Sequence, residues 1–252
     1  NTTFVYTEDE SGPGGLPVGT GGRTVTLMSG GIDSPVAAWR MIHRGSQTTL
    51  VHFHSFPLVD ERSKEKAMEL AAILTEYQYD TRLYLIPFAE IQQRMLLSVP
   101  APLRVVAYRR SMLRIAKLIA EKEDAIALVT GESLGQVGSQ TMQNMATVGQ
   151  AVDITILRPL VGMDKQEITD QAIKIGTYQT SILTDTDCCT LFVPKSPATK
   201  TFPSQFEDLE YALGIEELAM QAVARAEIKE YHWGALSHSS GVYDGLGHRT
   251  HI

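Results

Sequence analysis

At 252 residues, with 43% hydrophobic content and a net charge of −7, the chain is long enough for one large α/β domain or one domain with appended segments. The acidic balance excludes nucleic-acid binding by overall charge alone, so a polynucleotide partner must be held by a local patch or by another domain. No apolar run approaches the roughly eighteen residues that cross a bilayer, and no signal-peptide pattern opens the chain; no membrane partner and a cytoplasmic location are the expectation.

Residues 1–23 contain SGPGGLPVGTGG, dominated by glycine and proline, and read as an extended linker or a strap across the domain. Thr24 to Met28 alternates in the manner of a strand, and Ser29-Gly30-Gly31 cuts it off. An apolar helical pattern then begins at Asp33-Ser34-Pro35 and ends near Arg44-Gly45. Pro35 suits the first turn because its missing N–H would find no partner there. Thr48 to His54 reads as a second buried strand, and Asp60 caps a helical pattern with Ala67, Leu70, Ala71 and Leu74 on one face. Thr81 to Pro87 is a third strand. A short helix from Ile91 to Leu97 is stopped by Pro100 and Pro102, and a longer one runs from Val105 to Lys122. Ala125 to Thr130 is a fourth strand and Ile154 to Leu157 a fifth, and Asp164 caps a helix that closes at Gly176. This alternation predicts an α/β domain over residues 24–176, a doubly wound parallel sheet of about five strands. Ligands of such sheets sit beyond the carboxyl ends of the strands.

Residues 177–204 lapse into a loop too long to be a mere connector, and it carries the two cysteines, Cys188 and Cys189. A vicinal pair is a poor structural disulfide because its ring is strained, so the doublet points to thiol or redox chemistry. Residues 205–231 read as one amphipathic C-terminal helix with Leu209, Leu213, Leu218 and Val223 on its apolar face. Residues 232–252, rich in His, Gly and Ser, read as a flexible tail whose four histidines are solvated, and no metal ligands are assigned.

The turn after the first strand has chemical consequences. Two consecutive glycines let the backbone bend sharply and let a ligand approach the N–H groups with no Cβ in the way. With the helix N-terminus behind them, those groups form an anion site. Ser29 and Ser34 add hydroxyls, and Asp33 can orient a metal or a backbone amide. There is no lysine from Gly30 to Arg44, so this is not a Walker A loop; it suits a pyrophosphate that leaves better than a phosphoryl group to be transferred. At the end of the second strand, His52 and Phe53 offer an aromatic side chain to a purine. At the end of the fourth, Thr130 to Thr141 (TGESLGQVGSQT) is a glycine turn leading into a helix whose first turn carries Gln136, Ser139 and Gln140. Arg104, Arg109, Arg110, Arg114 and Lys117 make the preceding helix basic, with Arg109 about 100° from Arg110. One of them should neutralise a polyphosphate, the rest forming a solvated face.

SGGIDS resembles the SGGxDS signature of the PP-loop ATP pyrophosphatases, which split ATP into AMP and pyrophosphate and use the AMP to activate an oxygen. SGGIDSPVAAW, VHFHS, the RR of VVAYRRSMLRIA, TGESLGQVGSQT, ILRPL and DCCTLFVPKSPATK, in this order and spacing, resemble the PP-loop domain of the 4-thiouridine synthetase (tRNA sulfurtransferase) family, from about Val5 to about Tyr231. The resemblance implies an adenine nucleotide alpha hydrolase-like fold and ATP-dependent adenylation of a uridine carbonyl oxygen in tRNA. Persulfide sulfur from a cysteine desulfurase then displaces AMP.

Carried over by motif, the ATP contacts would be Leu27, Met28, Ser29, Gly30, Gly31, Asp33, Ser34, His52, Phe53, Arg109, Gly131 and Gln140. Asp33, Cys188 and Cys189 would be catalytic, Cys188 being preferred as the persulfide carrier from the residues around it. Magnesium is expected to neutralise the polyphosphate, with ligands the sequence does not reveal. Family members carry an N-terminal RNA-binding THUMP region and some a C-terminal rhodanese-like domain. Neither is recognisable here, so the expectation is a fragment, one half of a split enzyme served by a separate THUMP-containing chain, or a member with a smaller substrate. A homodimer is left open. The rival readings are another adenylating PP-loop reaction, thiolation of a different substrate or amidation, and a non-catalytic module that binds nucleotide or tRNA.

Overall fold

In the computed structural model, which describes residues 3, 7, 8, 12, 14–184 and 197–236, six strands form one sheet. They are β1 (Arg23–Leu27), β2 (Gln47–His54), β3 (Asp80–Pro87), β4 (Ala127–Val129), β5 (Thr155–Leu157) and β6 (Glu227–His232), in the spatial order β5-β4-β1-β2-β3-β6. The first five pair in parallel, and β6 adds antiparallel to β3. The helices are α1 (Asp33–His43), α2 (Arg62–Gln78), α3 (Ala89–Ser98), α4 (Arg104–Lys122), α5 (Met142–Gly149), α6 (Lys165–Lys174), α7 (Tyr178–Ser181), α8 (Ser204–Leu213), α9 (Ile215–Ala224) and α10 (Trp233–Leu236).

Alternation along the central strands sorts side chains between two cores. Val25, Val51, Phe53, Tyr84 and Ile86 pack with residues of α3, α4, α8 and α9, while Leu50, Leu83 and Leu85 pack against α1 and α2. A third cluster joins Val36 and Ala37 of α1 to Val129 and to Ile168 and Ala172 of α6. Because β1 lies between β2 and β4, successive connections leave it in opposite directions. That reversal opens a crevice at the carboxyl end of β1.

Three sequence expectations are corrected. The sheet has six strands instead of about five, because the single helix expected up to Tyr231 is two helices and a strand. Gly214 adopts a left-handed conformation (φ 63°) that stops α8 and starts α9, and the charged stretch from Glu227 to His232 pairs antiparallel with β3 at the sheet edge. His232 is therefore the last residue of β6 and not part of a tail; its side chain is exposed, as expected, with Nδ1 2.7 Å from an Asp80 carboxylate oxygen. Second, Gln136, Ser139 and Gln140 lie in turns ahead of α5; that helix starts at Met142, where the Thr141 hydroxyl caps it by accepting from the Asn144 N–H. Third, α2 starts at Arg62 with Glu61 in the cap position, and Asp60, one residue earlier, accepts from the Arg62 N–H and pairs with the Arg62 guanidinium.

Other signals act where the sequence puts them. Asp164 and Glu167 form a reciprocal capping box at the start of α6, and Gly176 follows its end with φ 77°. Residues 14–22 lie along the C-terminal end of α1, with the Leu16 and Gly21 N–H groups donating to the carbonyls of His43 and Gly45. Residues 185–196, with both cysteines, and residues 237–252, with the remaining tail histidines, lie outside the described residues.

Candidate active site

The crevice is walled on one side by the turn between β1 and α1. The Ser34 hydroxyl folds this turn back on itself, accepting from the Ser29 N–H at 2.9 Å and lying 3.0 Å from the Ser29 carbonyl. Ser29 Oγ accepts in turn from the Gly31 N–H at 3.3 Å. The residue ahead of α1, Ile32, supplies no side-chain cap, so the first N–H groups of the helix are left for a ligand. Neither Gly30 nor Gly31 adopts a positive φ, and a Cβ on Gly31 would make only an ordinary contact with Ser29. The glycine sterically required here is Gly131, on the facing wall, whose added Cβ would fall 2.9 Å from the backbone of Ser34.

The facing wall is the segment after β4. Gln140 is buried, and its Oε1 has no hydrogen-bond partner among the described residues, an acceptor that a bound donor would satisfy. Glu132 is also buried. Its Oε1 lies 3.1 Å from Arg109 Nη1 of α4, and its Oε2 lies 2.6 Å from Nε of Arg158, the residue after β5. Burial pushes this carboxyl up, but the two guanidiniums outweigh it and hold the group below the usual carboxylate range. Asp33 points across the crevice mouth, taking a hydrogen bond from Gln136 Nε2 at 2.9 Å and an ion pair from Lys165 Nζ at 3.2 Å. The turn that lacks a lysine thus has one beside it, delivered by the first residue of α6.

Together these walls enclose a cleft of about 770 Å³ including its open mouth, lined by Leu27, Met28, Ser29, Asp33, Ser34, Phe53, Arg109, Gly131 and Gln140 among others. Nine of the twelve sequence-assigned nucleotide contacts are therefore brought together. Gly30 and Gly31 sit in the turn without lining the cleft, and His52 projects from the opposite face of β2, its Nδ1 2.9 Å from the Met28 carbonyl. Phe53 joins the apolar wall, its ring held edge-on to Phe88 at 5.5 Å and buried, so it offers little face for stacking. Cys188 and Cys189 lie outside the described residues.

The lining also includes Met112, Leu113, Thr130, Glu132 and Val148, which sequence reasoning missed. Met112 and Leu113 stand three and four positions after Arg109 and share its helix face, a signal that was available. Arg158 stands in the ILRPL motif, but neither it nor Lys165 carried a signal of its partner, since those partners are distant in sequence. Of the basic residues on α4, Arg109 alone lines the cleft. Arg110 and Arg114 do not form the expected solvated face: both bond the buried carboxylate of Glu210 on α8.

An apolar-walled cleft with polar groups converging at one end on a helix N-terminus, an arginine and a lysine has the chemistry to take a nucleoside polyphosphate. Among the described residues no group of three potential metal-ligating side chains occurs, and the Asp33 and Glu132 carboxylates that line the cleft are engaged with cations.

Residues 19–215 match the family model described as thiamine biosynthesis protein (ThiI). A probable tRNA sulfurtransferase of Thermus thermophilus is 51% identical over 226 residues, covering 90% of this chain and 56% of that protein. A crystal structure of a 4-thiouridine synthetase in complex with RNA and bound ATP superposes with a TM-score of 0.83 at 40% identity, over 87% of this chain and 57% of that one. An NMN synthetase of Francisella tularensis shares the fold, with a TM-score of 0.51 at 16% identity over 88% of this chain and 89% of its own. The chain thus spans a little over half the length of the sulfurtransferase it matches.

Proposed function

We propose a function from one premise: the chain belongs to the ThiI family. It binds ATP in the cleft beyond β1 and β4 and activates a uridine carbonyl oxygen of tRNA, which sulfur replaces to give 4-thiouridine. The observation that carries this reading is the convergence of the uncapped α1 N-terminus, Arg109 and the unpartnered Gln140 acceptor on one apolar-walled cleft. The sulfurtransferase relatives and the ATP-bound 4-thiouridine synthetase support it.

In this reading the uridine oxygen attacks the α-phosphorus of ATP and pyrophosphate leaves. The α1 N–H groups, the Ser29 hydroxyl, Arg109 and Lys165 meet the charge that gathers on the departing phosphates. Leu27, Met112, Leu113 and Val148 shape the apolar wall for the base. Asp33 acts through its neighbours, fixing Lys165 and Gln136 at the cleft mouth. Magnesium accompanies the nucleotide and carries no protein-held step. The outer sulfur of a persulfide on Cys188, or on Cys189, attacks the activated carbon, and AMP departs with the former uridine oxygen. A thiolate, from the other cysteine or from the cysteine supplied, then attacks the inner sulfur, so that the S–S bond breaks, thiouridine is released and a disulfide is left for an external thiol to reduce. The chain on either side of the cysteines is tied to elements that begin at the carboxyl edge of the sheet, which supports their assignment. Lys66 Nζ of α2 donates to the Leu183 carbonyl at 2.7 Å, and the Ala198 N–H donates to the Pro102 carbonyl, just ahead of α4, at 2.9 Å.

tRNA and a cysteine desulfurase are the partners this reading requires; a separate THUMP-containing chain that holds the tRNA, and pairing of two copies, are compatible with it. The test is anaerobic incubation of the chain with ATP, magnesium, a cysteine desulfurase with cysteine, and unmodified tRNA. The expected products are thiouridine and AMP in equal amounts, with thiouridine lost in Cys188→Ser or Cys189→Ser. AMP formed with nitrogen incorporated, or thiolation untouched in the double cysteine variant, would overturn it.

A further inference from the structure

The cleft that receives a polyphosphate in this reading has a buried acid on its wall. Glu132 cannot serve as a free base or metal ligand, because both its oxygens are taken: Oε1 by Arg109, Oε2 by Arg158 and by the Thr130 hydroxyl at 3.0 Å. Without the acid, two guanidiniums from α4 and from the end of β5 would face each other across a buried gap and repel. With it, three elements are joined at one carboxylate. Among the described residues, Arg109 uses only Nη1 for its protein partners, Glu132 at 3.1 Å and the Ser139 carbonyl at 3.4 Å, so Nε and Nη2 remain for a ligand.

We propose that Glu132 is the positioning residue for Arg109. Held on its far side by Arg158 and Thr130, it orients the arginine so that the uncommitted edge of the guanidinium meets the nucleotide phosphates. The inference rests on the nucleotide reading of the cleft and assigns Glu132 no contact with ATP. Its content is a coupling: what Arg109 contributes to ATP binding depends on Glu132 being a carboxylate.

The experiment measures ATP affinity of the full chain by titration calorimetry for the wild type, Arg109→Gln, Glu132→Gln and the double variant. A charge-assisted hydrogen bond of about 1.5–3 kcal/mol corresponds to about tenfold or more in affinity, so Arg109→Gln should weaken ATP by at least about tenfold in the wild-type background. In the Glu132→Gln background the same change should weaken it by less than about threefold. A merely structural acid would leave the Arg109 contribution undiminished, and that result overturns the inference alone. Absence of ATP binding by the wild type, or no loss in Arg109→Gln, overturns the nucleotide reading and the inference with it. Should Glu132→Gln fail to fold, Thr130→Val removes one anchor of the carboxylate at nearly constant shape, and the same cycle run on it should show a smaller loss of coupling. Full additivity there would be equally contradictory.

Discussion

Gly131 packs against Ser34 so closely that a methyl group at position 131 would lie 2.9 Å from both the Cα and the backbone nitrogen of Ser34. The two walls of the cleft therefore touch through backbone, and the distance between them is set where β4 ends and α1 begins. A methyl group wedged there must move the first turn of α1, the part that presents free N–H groups to a ligand. Overpacking of this kind costs about 1–3 kcal/mol of stability. Gly131→Ala should also lower ATP affinity by about tenfold or more, since an anion site depends on aligned donors. Gly31→Ala, at a position without positive φ and with only ordinary contact at 3.5 Å, should change the folded stability by no more than about 0.4–1 kcal/mol, the scale of the lost unfolded-chain entropy. Urea unfolding and ATP titration of the two variants check this, and equal losses of affinity and stability in both would contradict it.

The Glu210 carboxylate takes hydrogen bonds from Arg110 at 2.5 and 2.8 Å and from Arg114 at 2.5 Å, with all but the rim of the triad buried. Arg110 also donates to the Thr147 carbonyl and stacks over Phe206, so the triad ties α8 to α4 and α5. Removing the acid leaves two buried cations facing each other, and losing one partner of such a group costs about 3–5 kcal/mol. Glu210→Gln should shift the urea midpoint downward accordingly, and a shift equivalent to less than about 1 kcal/mol would contradict the assignment.

His54 is buried at the end of β2, and burial, with His52 and Lys64 adding to it against Glu227, lowers its pKa from 6.5 to about 4. Below about pH 6.5 the unfolded chain takes up a proton that the folded chain refuses until about pH 4. Stability present above 6.5 is therefore lost as the pH falls through that window. Glu132 and Glu210, whose pKa values lie below 4.5, lose their stabilising pairs only at lower pH. His54 thus contributes to the arm between 6.5 and 4.5. His54→Gln should flatten the fall in Tm over that arm, measured at constant ionic strength, and an unchanged slope would show that His54 does not carry it.

The stretch that builds β1, its turn and α1 was legible from residue order, because local physics decides it: β-branched alternation, two glycines and a proline at the third helical position. The capping box of α6 and the glycine after it were legible for the same reason. The C-terminal stretch was not, because Leu209, Leu213, Leu218 and Val223 keep helical spacing across Gly214, and only pairing with β3 shows that Glu227 to His232 is a strand. Most cleft residues could be named from motifs that follow each strand. The groups that set the electrostatics could not. Lys165 reaches Asp33 across 132 positions and Glu210 reaches Arg110 across 100, and no local pattern announces which distant charge will neutralise which. The His52 side chain turns away from the cleft for a simpler reason: it is adjacent to Phe53, and period-two alternation sends neighbours to opposite faces.

The central claim is that ATP bound in this cleft activates a uridine oxygen, and following that oxygen tests it most directly. tRNA carrying oxygen-18 at the uridine C4 carbonyl would be incubated anaerobically with the chain, ATP, magnesium, a cysteine desulfurase and cysteine, and the released AMP weighed by mass spectrometry. The account predicts that the heavy isotope appears in AMP in step with thiouridine, because the oxygen leaves on the phosphorus it attacked. AMP free of the isotope, with oxygen supplied by water, would contradict it.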